Sequence, residues 1–224
     1  MRLGQSSDCI RALLPFSAGA LSVLPAYAMG HLDHLADVLF LNTERFEEYG
    51  LWLFSPFLFG YLGLLVVIGQ QSLAGVPETV SFADMILYRK GYRKSLIFLL
   101  DKGIRSLCRC CMHMGLGILI PTAVLGADIK ELAAVTVYLI RLTAETGVFQ
   151  LWFMAGVMIR HTDVSWLFGL WLTALTAMDA FAGKHLLTYS GSILTEGKII
   201  AIVFSLYAIS FHPAEKLIRL RSIV

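Results

Sequence analysis

The chain has 224 residues, 57% of them hydrophobic and 15% charged, with a mean hydropathy of +0.72. A soluble domain of this size cannot hide so much apolar surface in one core, so the composition excludes a soluble globular protein and points to an integral membrane protein. A formal net charge of +2 gives no reason to expect a nucleic-acid partner, and the placement of charge matters more than its sum.

A hydrocarbon core about 30 Å thick takes roughly 20 helical residues, and spans are sought at that length. The first apolar run, Ile10 to Gly30, follows Arg2 and Arg11 and passes through Ala26, Tyr27 and Ala28, an A-x-A pattern that a signal peptide would carry. Because the run reaches a full span, it is read as a membrane helix. Next comes "HLDHLADVLFLNTERFEEYG", an acidic connection with Asp33, Asp37, Glu44, Glu47 and Glu48 against Arg45. The second span runs from Gly50 to Gln71 and opens on the aromatic stretch "LWLFSPFLF".

Past the second span, Ser81 suits a helix N-cap, and Phe82, Met85, Ile86 and Arg89 recur at helical spacing until Gly91 interrupts the pattern. This predicts a short interfacial helix, a break, and then an amphipathic helix over Ser95 to Leu107 lying along the headgroups. The third span is expected from Cys110 to Ala127, the fourth from Leu142 to Ile159, the fifth from Val164 to Gly183 and the sixth from Ile199 to Pro213. The fold class is therefore all-α: one transmembrane domain, residues 1–224, with six transmembrane helices.

The connections alternate in sign, and the side richer in Lys and Arg belongs to the cytoplasm. Arg89, Lys90, Arg93, Lys94, Lys102, Arg105 and Arg109 place the second connection inside, and Lys216, Arg219 and Arg221 do the same for the C-terminal end. The acidic first connection, the mixed stretch Asp128 to Arg141 and the loop Lys184 to Lys198 fall outside. Both termini are then cytoplasmic. Cys108, Cys110 and Cys111, crowded into "CRCC" beside basic residues, read as reduced thiols at the cytoplasmic edge; with Cys9 they lack the spacing of a disulfide framework. They also lack the paired C-x-x-C of a zinc site.

Few residues carry chemistry. Charges within a membrane are expensive, so Arg141, Glu145 and Asp179 must face protein or a water-filled path. Arg141 and Glu145, four apart, can pair on one helix face. His31, His34 and Asp37 share a helical face and could hold a weak metal site, although a polar helix end accounts for them as well. His113 and His212, each near the cytoplasmic end of a span, would allow a b-type haem between facing helices, which makes a haem-carrying electron-transfer subunit the alternative function. A membrane sensor or scaffold is a further one. No catalytic grouping lies at one membrane depth, so enzyme activity is not expected of this chain.

The basic connection itself has two readings from its residues alone. Lipid anchoring needs only basic side chains, each worth about 1 kcal/mol near an anionic surface. A coupling element would seat apolar side chains in a partner subunit while the charges set its register.

The stretch "SFADMILYRKGYRKSLIFLLDK", preceded by "GLWLFSPFLFGYLGLLVV", resembles the permeases of ABC exporters of the second type, above all the small six-span ones linked to lantibiotic and bacteriocin export or immunity. In those permeases a span leads to a short coupling helix, an R-x-G-S-R-like turn and a helix re-entering the membrane. Arg89, Gly91 and Arg93 match the turn, with Tyr92 where Ser is usual. The resemblance implies a coupling interface at Phe82, Met85, Ile86, Arg89, Gly91 and Arg93, and ABC ATPase subunits as partners. It also implies a second permease, same or different, and a bacterial cytoplasmic membrane location. It implies an amphipathic or antimicrobial peptide substrate, moved along a path lined by Trp52, Phe54, Phe57, Glu145 and Asp179. ATP and Mg would then reside on the partner ATPase, with no cofactor in this chain. The 224 residues contain no G-x-x-x-x-G-K-[ST] phosphate loop; Gly191 to Lys198 has one residue too many between its glycines and Ile199 where a hydroxyl is required.

Overall fold

The computed structural model describes residues 3–40, 42, 56–72, 83–160, 174–175 and 188–220. Among them every regular element is helical, as expected: α1 (Leu3–Ala28), a 3-10 turn (Leu32–His34) running into α2 (Leu35–Leu39), α3 (Pro56–Ser72), α4 (Ala83–Val124), α5 (Ile129–Arg160) and α6 (Ile193–Leu220). Three segments are long and apolar enough to cross a membrane, Arg93–Val124, Ile129–Phe153 and Ile193–Lys216. The apolar stretches Ala12–Ala28 and Gly60–Gln70 are shorter. The expected span Val164 to Gly183 lies outside the described residues except for 174–175. Among the described residues three of the helices are thus candidate spans, which points to a multi-pass membrane protein.

Two glycines stop helices where the chain must turn. Gly30 (φ 73) follows α1, with Gly30 N–H donating to the Tyr27 carbonyl and His31 N–H to that of Ala26. Gly126 (φ 83) repeats the arrangement after α4, with Ala127 N–H donating to the Thr122 carbonyl. Both are left-handed caps that use carbonyls the helix would otherwise leave unpaired.

Packing is pairwise. α1 lies along α4, α5 along α6, and α3 fills the angle between α1 and α4. The contacts of α2 show how the helices run. Ala36 N–H donates to Glu131 Oε2 near the start of α5 (3.1 Å), the Phe40 ring meets those of Tyr61 and Tyr138, and Tyr189 N–H donates to the Phe40 carbonyl (3.0 Å). One end of the bundle therefore collects the C-terminal ends of α1 and α4 and the N-terminal ends of α3, α5 and α6. Arg93, Lys94, Lys102, Arg105 and Arg109 lie towards the other end of α4. On α6, Ile202, Phe204 and Ile209 are 59%, 60% and 69% exposed, a face that water would penalise and hydrocarbon accepts.

Three expectations are corrected. Ser95 to Leu107 is no separate headgroup helix: beyond Gly91, α4 keeps helical geometry to Val124, and a continuous rod cannot both lie in the membrane plane and cross it. The stretch Asp128 to Arg141 is no loop but the start of α5, which brings Arg141 inside the protein with 0% exposure. The loop Lys184 to Lys198 ends early, because α6 begins at Ile193. The acidic first connection, for its part, contains an apolar segment: Leu35, Ala36, Val38, Leu39 and Phe40 are all buried.

Candidate functional site

Among the described residues, a buried ion cluster joins α5 to the first turn of α6. Arg141 on α5 donates from Nε to Glu145 Oε1 (2.8 Å) and from Nη1 to both Glu196 oxygens (3.0 and 2.8 Å) and to the Thr188 carbonyl (3.1 Å). Its guanidinium also lies 5.6 Å from the Tyr138 ring centroid. Glu145 comes from the next turn of the same helix, as the i, i+4 spacing predicts. Glu196 comes from the first turn of α6, where the helix N-terminus favours a carboxylate, and its Oε1 also accepts from Ser190 N–H (2.8 Å). A buried cation is tolerable only with such a complete set of partners.

Above the cluster lies an aromatic layer. Phe40 stacks on Tyr138 with centroids 4.2 Å apart, Tyr138 and Tyr61 share a hydroxyl contact of 2.5 Å, and Tyr189 meets Tyr138 edge-on. The strap Leu32–Phe40 closes over this layer. Asn42 Nδ2 donates to Asp37 Oδ1 (2.6 Å), and Gly191 (φ 76) leaves no room for a side chain, since a Cβ there would lie 2.8 Å from Asn42 Nδ2. Burial, with Asp37, Glu131 and Glu196 nearby, pushes the Tyr189 phenol up to about 12, so it stays a neutral hydrogen-bonding group over the ordinary pH range.

Sequence reasoning found two of these six residues. Arg141 and Glu145 pair as expected; Glu196, Tyr138, Tyr61 and Tyr189 were missed. The strap carried a signal that was passed over: Leu35, Val38 and Leu39 recur at the i, i+3, i+4 spacing of a helix with one buried face. Glu196 carried none, because its partner stands 55 positions away.

The second place of interest is the break in α4. Gly91 has φ 73 and ψ 164, a backbone conformation essentially confined to glycine, and is the non-helical point between the turns before it and the long helix after it. Ser95 Oγ donates back to the Gly91 carbonyl (2.8 Å). The expected break is therefore in place. Met85, Ile86 and Arg89 lie on the short helix from Ala83 that leads into Gly91, and Arg93 is exposed beyond it. Phe82 falls outside the described residues, as do Trp52, Phe54 and Asp179. Phe57 is in the first turn of α3, and Glu145 is committed to Arg141 in the ion cluster, remote in sequence and in bundle end from the Gly91 break.

The remaining candidates have ordinary surroundings. His34 Nδ1 stands 4.0 Å from Asp37 Oδ2, and His113 Nδ1 contacts the Arg109 carbonyl at 2.6 Å, while His212 is exposed on α6. Cys110 and Cys111 are buried and Cys108 is exposed, all as free thiols. Among the described residues no three His, Cys, Asp or Glu side chains gather as a metal site would require. Comparison with known proteins adds no relative: no family model, no curated protein and no solved structure matches the chain.

Proposed function

We propose that this protein is the permease subunit of an ATP-driven exporter of the second ABC type, with ATP hydrolysed on a separate subunit and an amphipathic peptide or similar apolar molecule as substrate. The observation that carries the reading is the glycine break at Gly91, between a short helix bearing Met85, Ile86 and Arg89 and a long helix that rises into the membrane. That is the arrangement of coupling helix, turn and re-entry that the resemblance implies. A lever of this kind transmits force only if the turn is stiff, and the Ser95 hydrogen bond to Gly91 ties the turn to the rising helix.

Six crossings are also supported by chain geometry. α5 and α6 run the same way, because Arg141 meets Glu196 in the first turn of α6, while Gly147 and Tyr207, further on in both helices, line one cavity. Arg160 lies 19 positions beyond Arg141, about 28 Å further along the helix at 1.5 Å per residue. Thr188 touches Arg141. Twenty-seven residues separate Arg160 from Thr188, a length that accommodates the fifth crossing expected from the sequence. Cysteine placed at Ser192, exposed on the crowded end, should react with a membrane-impermeant maleimide added from outside, and cysteine at exposed Lys94 only after lysis. Labelling of position 94 in intact cells would reverse the topology.

The function is tested at Met85 and Ile86. A carboxylate placed in a desolvated groove of the partner costs on the order of 2–4 kcal/mol of association. Met85→Asp and Ile86→Asp should therefore insert at normal membrane level yet lose most of the ATPase recovered on co-purification. Exchanging Arg89 and Arg93 for Lys should weaken recovery too, because Lys cannot reproduce bidentate hydrogen bonds. Full recovery in both Asp variants would return this helix to a lipid-anchoring role.

A further inference from the structure

A narrow slot of about 540 Å³ runs between α4, α5 and α6, from Ile104 up to Leu119 on α4. At 1.5 Å per residue that length is about 22 Å, long enough for an extended hydrocarbon chain. A single extended hydrocarbon chain can lie along it between the three helices. Its wall is more apolar than its residue list suggests. Thr136 and Thr143 turn their hydroxyls back onto the Leu132 and Leu139 carbonyls (2.8 and 2.7 Å), leaving methyl groups to face the slot. Gly147 widens it on the α5 side, where a Cβ would meet nothing within 4 Å.

The lower mouth is basic. Lys102, Arg105 and Arg109 are exposed, and they stand at helical spacings below Met112 and Leu116, which line the slot. Arg105 pairs with Asp101, so three cations face one carboxylate. Counting about 30 Å back from Val124 along α4 reaches Ile104, which puts Lys102 and Arg105 at the boundary of the hydrocarbon and Arg109 about 8 Å above it, from where its long side chain can snorkel down to the same level. Apolar slot and cationic mouth thus meet at the depth where an acyl chain joins its headgroup.

We infer that the slot takes one acyl chain of an anionic phospholipid whose phosphate is held by Arg105 and Arg109, with Lys102 beside them. The assignment needs the chain to lie in a membrane but does not depend on the exporter reading. Guanidinium groups bind phosphate with charge-assisted, paired hydrogen bonds, and each basic residue near the surface adds attraction for anionic lipid.

The test uses the full-length protein in mild detergent, offered phosphatidylglycerol or phosphatidylcholine with identical acyl chains and weighed by native mass spectrometry. The wild type should keep one phosphatidylglycerol per chain, in preference to phosphatidylcholine by about tenfold. Arg105→Gln with Arg109→Gln should erase the preference without changing helix content, since both side chains are exposed. Gly147→Phe should block the slot and abolish retention of both lipids while the basic mouth stays intact. Equal retention of the two lipids by the wild type overturns the proposal, as does an undiminished preference in the double Gln variant. Lipid retained by Gly147→Phe overturns the slot as the acyl site. A wild-type dimer without lipid that Gly147→Phe converts to monomers would instead assign the groove to a second copy. Should Gly147→Phe fail to assemble, the double Gln variant still decides.

Discussion

Arg141→Met should be the most damaging single substitution in the described structure, lowering stability by about 3–5 kcal/mol. The side chain is fully buried, and removing it leaves Glu145 and Glu196 facing each other without the cation that both address. Their charge has no route to water, because Glu196 is itself at 0% exposure and Glu145 at 5%. The loss would spread. Glu196 also holds Ser190 N–H, and the neighbouring Tyr189 N–H holds the Phe40 carbonyl, so the strap over the aromatic layer loosens with it. In detergent the variant should elute mainly as aggregate on size-exclusion chromatography, with a far lower melting midpoint. Combining Arg141→Met with Glu145→Gln and Glu196→Gln removes the stranded charges and should restore most of the monodisperse peak. If the single variant behaves like the wild type, the cluster does not hold α5 to α6. If the triple variant is no better than the single, lost packing rather than stranded charge is responsible.

A second large effect is expected where α1 crosses α4. A Cβ added to Gly19 would fall on the Met114 carbonyl, and one added to Gly117 on the Phe16 carbonyl. These are backbone atoms, which cannot swing aside as a flexible side chain does, so even alanine must push the two helices apart. Small residues that let backbones touch are the usual adhesive between membrane helices, where burial of apolar surface gives no net drive. Gly117→Leu should cost several kcal/mol, at or beyond the upper end of ordinary overpacking. Gly63→Ala on α3 supplies the control: nothing lies within 4 Å of its Cβ, so it should be neutral or stabilising by up to about 1 kcal/mol through helix propensity. The measurement is the melting midpoint of each variant in one detergent. A midpoint for Gly117→Leu equal to that of Gly63→Ala would show that the crossing is looser than the structure has it.

Legibility followed the range of the interaction. The stop at Gly30 and the break at Gly91 could be read because a positive φ favours glycine and the apolar periodicity halts there. The Arg141–Glu145 pair could be read because four residues make one helical turn. Membrane residence followed from composition, since no core of 224 residues absorbs that much apolar surface. Reading loops by sign, in contrast, placed Leu32–Phe40 only as part of an acidic outer connection. Its carboxylates catch the eye, while its apolar face is answered by residues on α1, α3 and α5.

By itself, then, the sequence determined what acts within a turn of helix or through bulk composition: an all-helical membrane chain, its glycine punctuation, its local ion pair and its basic connection. The tertiary structure decided which distant groups meet. Glu196 became the second partner of Arg141, the strap became a buried cover, the glycines of α1 and α4 became a contact, and threonines on α5 became the apolar wall of a slot. The physical reason is that a buried charge or a glycine on a helix face states a need, for a partner or for room. Which segment meets that need depends on how the helices pack, and each of those answers comes from a separate helix.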